Sequence, residues 1–186
     1  MKIVLIRHGK PNVNWSGWVS ALEFGGLVSE YDEADLDQTF PPTIETINSA
    51  AGCQFSVCSH LTRSIESAKY LNLAPANWVH SDFRECETPY AHWRFLKLPI
   101  KAWIWLFRVL QLTGYSNHSE SYQDFKKRSE ECANQLIKFA EMHGSVVFIG
   151  HGILNLFLHK ALLKKGWIGS KKSPKKYWSF GEYFLD

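Results

Sequence analysis

The stretch Lys2-Ile-Val-Leu-Ile-Arg-His-Gly9 decides how the chain folds. Its apolar, partly β-branched run is too short for a helix and stops at a His-Gly pair able to turn, so it reads as a buried strand with polar residues at its carboxyl end. The pattern recurs at Phe55–Cys58, followed by Ser59-His60-Leu61-Thr62-Arg63, and at Val146–Ile149, followed by Gly150-His151-Gly152. Helical spacing follows in both places, through Leu61, Ile65, Ala68 and Leu71 and through Ile153, Leu156, Phe157 and Leu162. The repeated unit is therefore strand, polar turn, helix. Crossovers long enough to return the chain in parallel predict an α/β fold, a three-layer α/β/α sandwich with a mainly parallel central sheet.

Two further helices are predicted. From Glu120 to Met142, Tyr122, Phe125, Cys132, Leu136, Phe139 and Ala140 share one face; Ser121 with Asp124 resembles a weak capping box, and Gly144 suits the C′ position. A helix starting near Pro99 and running to Leu112 is apolar on most sides, with a narrow polar stripe of Lys101 and Arg108 interrupted by Trp105. No internal repeat or linker divides residues 1–186, which read as one domain.

Composition narrows the function classes. At 186 residues, 45% hydrophobic, the chain is long enough for a sizeable core, and its eight Trp, seven Tyr and twelve Phe exclude disorder. Cys53, Cys58, Cys86 and Cys132 form no CxxC pair, which predicts free thiols and a cytoplasmic protein. The apolar run at the start is too short for a secretion signal, and Phe95–Leu112, broken by Pro99 and three cations, is no membrane span, so no stable membrane insertion is expected. The formal charge of +3 hides an asymmetry: Pro11–Thr62 contains no Lys or Arg, whereas Lys164, Lys165, Lys171, Lys172, Lys175 and Lys176 cluster near the end. That cluster is either a solvated loop or a steering field for an anion; without a recognisable RNA- or DNA-binding motif, no nucleic-acid partner is expected. His60, His80, His92, His118, His143 and His159 show no metal-ligand spacing, and Gly25-Gly26 is no phosphate loop, so no metal and no cofactor are expected.

In α/β sheets ligands bind beyond the carboxyl ends of the strands. There the sequence places Arg7, His8, Arg63 and His151. Arginine offers a planar, permanently charged fork to phosphoryl oxygens, and a neutral imidazole can attack phosphorus while a second contributes a donor.

Through the RHG at Arg7–Gly9, the Ser-x-x-x-Arg at Ser59–Arg63 and the GHG at Gly150–Gly152, the chain from Met1 to about Lys164 resembles the histidine phosphatase superfamily, the phosphoglycerate mutase-like group. The resemblance implies a phosphohistidine at His8, a phosphate pocket of Arg7, Arg63 and His151, and a substrate contact at Asn14, six residues after the nucleophile. It implies a proton donor in Phe83-Arg84-Glu85-Cys86-Glu87, where register favours Glu85 over Glu87 and Asp82. Thr88-Pro89-Tyr90 stands where the family has a Gly-rich Trp-Glu-Gly segment, and an aromatic helical insertion occupies about 89–118.

The expected activity is a metal-independent phosphatase acting on a small-molecule phosphomonoester. The alternatives are a mutase-like phosphotransferase and a non-catalytic module that binds phosphorylated ligands. Within the insertion, Trp103 and Trp105 are expected either in the core, on an apolar wall for the leaving group, or in a surface contact such as a homodimer.

Overall fold

The computed structural model describes residues 1–186. Strand β1 (Lys2–Arg7) lies inside a six-stranded sheet, hydrogen-bonded on one side to β6 (Ser145–Gly150) and on the other to β8 (Phe180–Phe184). Outside β6 come β3 (Phe55–Ser59) and then β4 (Trp78–His80), all parallel to β1. On the far side β8 runs antiparallel to β1, and β7 (Ile168–Gly169) completes the order β4-β3-β6-β1-β8-β7. The sheet is mainly parallel, as the strand–turn–helix pattern predicts. Its antiparallel margin is built from the Lys- and Gly-rich end of the chain.

Because successive strand residues face opposite sides, β1 and β6 each serve two cores. Ile3, Leu5, Val146 and Phe148 pack on one face against α5 (Tyr122–His143) and α6 (Gly152–Lys164). Val4, Ile6, Val147 and Ile149 pack on the other against α2 (Ile44–Ala51) and α3 (Thr62–Tyr70). These are the two outer layers of the sandwich. Helix α5 is bounded as its sequence predicts: Ser121 Oγ accepts from the Asp124 amide, and Gly144 ends it at φ 77°. The capping box is only half made, since the Asp124 carboxylate accepts from the Ser121 hydroxyl instead of reaching the cap amide.

A third cluster stands apart from the sheet. Helix α1 (Ala21–Glu33) and helix α4 (Ile100–Leu112) pack through Phe24, Ile100, Trp103 and Phe107, and the short strands β2 (Trp18–Ser20) and β5 (Lys97–Pro99) pair antiparallel beside them. Helix α1 opens with a complete capping box, the Ser20 amide donating to Glu23 and the Glu23 amide to Ser20 Oγ. Gly25 belongs to this helix, where a Cβ would lie 2.4 Å from the Tyr90 ring. Helix α4 and its flanking residues therefore join α1 in a helical annex.

Trp103 is fully buried and donates its indole N–H to the Val19 carbonyl at 2.7 Å, while Trp105 is 69% exposed. The polar stripe of α4 is split: Lys101 is exposed, whereas Arg108 is not turned to solvent. Arg108 turns inward and donates to the carbonyls of Cys86 and Glu87, to Thr88 Oγ1 and to Gln111 Oε1. No helix is long and apolar enough to cross a membrane.

Candidate active site

The sheet register brings the three motifs together. Arg7 pairs with Gly150, and Cys58 with Ile149, so β1, β3 and β6 end side by side. The ladder extends one residue further, the His8 amide donating to the Gly150 carbonyl at 2.9 Å. His8, Ser59 and His151 thus emerge at one level of the sheet. The imidazole centroids of His8 and His151 lie 5.1 Å apart. Gly9 lets the chain leave β1 against Trp178, whose indole would lie 2.4 Å from a Cβ there.

Both histidines are buried, and their hydrogen bonds differ in kind. His8 Nδ1 lies 2.6 Å from the Gly9 carbonyl oxygen; a carbonyl only accepts, so Nδ1 carries the proton and the Nε2 lone pair is free. His151 Nε2 lies 2.7 Å from Ser59 Oγ, which also accepts from the Leu61 amide. When the Ser59 hydroxyl donates to Nε2, the His151 proton sits on Nδ1, a buried atom without a protein partner. Burial, then the charges of Arg63 and Arg7, hold the His8 pKa well below 6.5. Burial followed by Arg63 and the neighbouring His8 does the same for His151. Both rings are therefore neutral near pH 7.

Two guanidiniums flank the pair. Arg63 is 1% exposed, with Nη1 donating to the Tyr31 carbonyl at 3.0 Å and to Asp32 at 2.9 Å. Arg7 donates to the Lys175 carbonyl. Each cation rests on a tyrosine ring, Arg63 on Tyr31 at 4.6 Å and Arg7 on Tyr177 at 4.2 Å. The two phenol oxygens approach to 3.4 Å, so the rings form a roof near the histidines, with Tyr177 5.7 Å from the His8 ring centroid. Nε of both arginines is buried without an acceptor, like His151 Nδ1. Orphaned buried donors are rare. Three of them on side chains flanking one imidazole fit a bound anion with several oxygens.

Glu85 stands at the start of α6, which lacks a side-chain cap of its own. Its Oε1 accepts from the amides of Leu154 and Cys86, while Oε2 accepts only from Ile153, all at 2.9–3.0 Å. Of the carboxylate's four lone-pair sites, the one left open is on Oε2. Glu87 braces the segment instead, accepting from Arg84 and from the Glu120 amide. Asp82 lies at its beginning, beside His80.

Arg128 of α5 grips the same segment, donating to the carbonyls of Asp82, Arg84 and Glu85 and to the Glu120 carboxylate. With Arg108 it fixes residues 82–88 from two helices. Arg128 falls on the apolar face of α5 between Phe125 and Cys132, a placement that could have marked it in the sequence.

A cavity of about 750 Å³ opens above the arginines and the Glu85 segment. Arg7, Arg63, Glu85 and Glu87 line it, as do Tyr31, Tyr177, His60 and Lys175; His8 and His151 lie beneath its surface. From α4 come Ile100, Lys101, Ile104 and Arg108, whereas neither Trp103 nor Trp105 reaches it. Asn14 is exposed and does not line it; its side-chain oxygen accepts from the Ser16 amide and hydroxyl. Of the terminal lysines only Lys175 lines the cavity, and Lys165 pairs with Glu130. No group of three or more His, Cys, Asp or Glu is arranged to hold a metal ion, and all four cysteines are free.

No family model matches the sequence, and no curated protein matches it. Solved structures do match. An open reading frame product of Mycobacterium tuberculosis superposes with a TM-score of 0.63 at 16% identity, over 100% of this chain and 91% of that one. A phosphoglycerate mutase from Bacillus anthracis gives 0.61 at 15% identity with the same coverage. Mycobacterial glucosyl-3-phosphoglycerate phosphatase gives 0.55 at 22%, covering 88% and 79% of the two chains. The chain shares its fold with these phosphoglycerate mutase and phosphatase structures.

Proposed function

We propose that the chain is a phosphoryl-transfer enzyme that hydrolyses a phosphomonoester through phosphohistidine at His8. The observation that carries this reading is the tautomer of His8: its Nδ1 proton is tied to the Gly9 carbonyl, its pKa is depressed, and Nε2 is left as a nucleophile between two arginines. The phosphoryl oxygens take up Arg7 Nε, Arg63 Nε and His151 Nδ1, the three donors without protein acceptors. Such fixed donors stabilise charge in the transition state without reorganising.

The reaction has two displacements. His8 Nε2 forms a bond to phosphorus as the ester oxygen leaves, and that oxygen takes the proton held at Glu85 Oε2. Glu85, now a carboxylate, removes a proton from water; the water oxygen bonds to phosphorus, the N–P bond breaks, and inorganic phosphate departs. One carboxyl group can serve both steps by changing role. The imidazole lies beneath the cavity surface, with the Tyr177 ring of the cavity lining beside it.

Arg7 and Arg63 supply the positive charge that a metal provides elsewhere, so turnover of para-nitrophenyl phosphate is expected to survive exhaustive EDTA treatment. Rapid acid-free quench with radiolabelled phosphoester should trap a base-stable, acid-labile phosphoenzyme. His8→Ala should lose both label and turnover; label retained in that variant would remove His8 from the reaction. Parallel assays with phosphoglycerates and bisphosphoglycerate test for the mutase activity for which one structural neighbour is named.

A further inference from the structure

We infer that the leaving group for which this site is shaped is a large apolar alcohol, so that its substrates are amphiphilic phosphomonoesters; the inference rests on the hydrolytic reading above. The cavity of about 750 Å³ lies within the roughly 300–1,000 Å³ range of pockets that enclose drug-sized molecules, far more room than a phosphoryl group needs. Three helices and one loop supply its apolar walls: Val28 from α1, Ile104 from α4, Ile153 and Leu156 from α6, and Trp15 before β2, with the buried Phe24 and Ile100 one turn away behind Val28 and Ile104.

The polar lining argues the same way. A sugar or nucleoside needs acceptors and donors free to meet its hydroxyls, since a site built on hydrogen bonds discriminates through them. No Asn, Gln or Ser lines the cavity. Most acceptors there already have protein partners: Asp32 Oδ1 on Arg63, Glu85 on three amides, Glu87 on Arg84 and the Glu120 amide, and Thr88 Oγ1 on Arg108, which leaves Asp32 Oδ2 and the His60 ring as the acceptors without one. Arg108 is committed to the 86–88 backbone and its neighbours. Lys101 and Lys175 are the lysines of the lining, and neither is bonded to a protein acceptor. They can attract an anion but cannot accept from a hydroxyl. The walls reward carbon, and the cations reward phosphate.

The test is a homologous series of n-butyl, n-hexyl and n-octyl phosphates at monomeric concentrations, with para-nitrophenyl phosphate, glucose 6-phosphate and AMP alongside. Transfer of each methylene to an apolar wall should raise kcat/KM by about fourfold. Glucose 6-phosphate and AMP should fall below hexyl phosphate. Ile104 is about one-third exposed, so Ile104→Ser should fold, and its chain-length dependence should be visibly flatter, each slope being taken within one variant so that any general loss of rate cancels. A flat series, or a preference for the sugar or nucleotide, overturns the inference while para-nitrophenyl phosphate turnover keeps the hydrolytic reading alive. An unchanged slope in Ile104→Ser overturns this cavity as the place where the chain binds. Absence of turnover on every ester removes the hydrolytic reading and the inference with it.

Discussion

The floor of the site and the wall above it use polar groups in opposite ways. On the floor, Arg7 Nε, Arg63 Nε and His151 Nδ1 are buried donors without acceptors. On the wall, Arg108, Arg84 and Glu87 are satisfied by neighbours and serve as braces, leaving hydrocarbon to meet whatever enters. Charge in a protein site therefore has to be read by its hydrogen bonds and not by its count. Arginines within one cavity are available to a ligand where their donors are orphaned and serve as braces where they are not.

The largest effect that would sharpen this contrast is expected at Glu85. Glu85→Gln keeps the group's size and removes the proton, so kcat on alkyl phosphates should fall by about 10²–10⁴ while para-nitrophenyl phosphate, with its good leaving group, loses far less. Equal losses on both esters would break the assignment, and the same pattern from Glu87→Gln would move the role to Glu87. Next comes the annex that carries the wall. Trp103→Ala should lower stability by about 3–5 kcal/mol in denaturant melts, with the substrate ranking preserved, because it empties a filled site and orphans the Val19 carbonyl. Arg7→Ala should then lower kcat/KM by about 10²–10³, as for loss of one preorganised donor to a transition-state oxyanion, and the loss should be similar for every ester.

A smaller effect follows from the depressed pKa values of His8 and His151. The unfolded chain binds protons at these residues below about pH 6.5 while the folded protein does not, so stability should fall as pH drops from about 6.5 toward the folded pKa values. Thermal melts between pH 8 and 5 should show a decline that is shallower in His151→Asn; identical slopes would remove His151 from the linkage. Smallest of all, Trp105→Ala should change stability by no more than about 0.5 kcal/mol, since the side chain is exposed and lines no cavity.

What the sequence made legible was local. The continuous apolar strands β1, β3 and β6 announce themselves, and their register alone places Arg7 beside Gly150. What stayed hidden depends on distant partners. Phe180-Gly-Glu-Tyr-Phe184 is short, interrupted by Gly and Glu, and follows a lysine-rich loop, yet it pairs with Lys2–Ile6 of β1 because that edge is otherwise open. Nothing near Tyr31 or Tyr177 signals that each ring supports an arginine. Lys101 and Arg108 were visible as a stripe on α4, and Lys101 is exposed, but Arg108 also looks solvent-facing until the carbonyls of Cys86 and Glu87 are placed against it. The Ser20-x-x-Glu23 capping signature did stand in the sequence, ahead of a helix whose two glycines obscure it.

The position of β1 also bears on how the protein comes into being. The strand that leads into His8 is residues 2–7, but its neighbours in the sheet are residues 145–150 and 180–184. During synthesis residues 2–7 must wait, unpaired and strongly apolar, until residues 145–150 and 180–184 have been made. Contacts this distant along the chain are slow to form. Arg7 and His8 cannot be framed on both sides until residues 178–184 arrive, so a chain shortened by its last ten residues should emerge as a sticky, inactive intermediate and a natural client for chaperones.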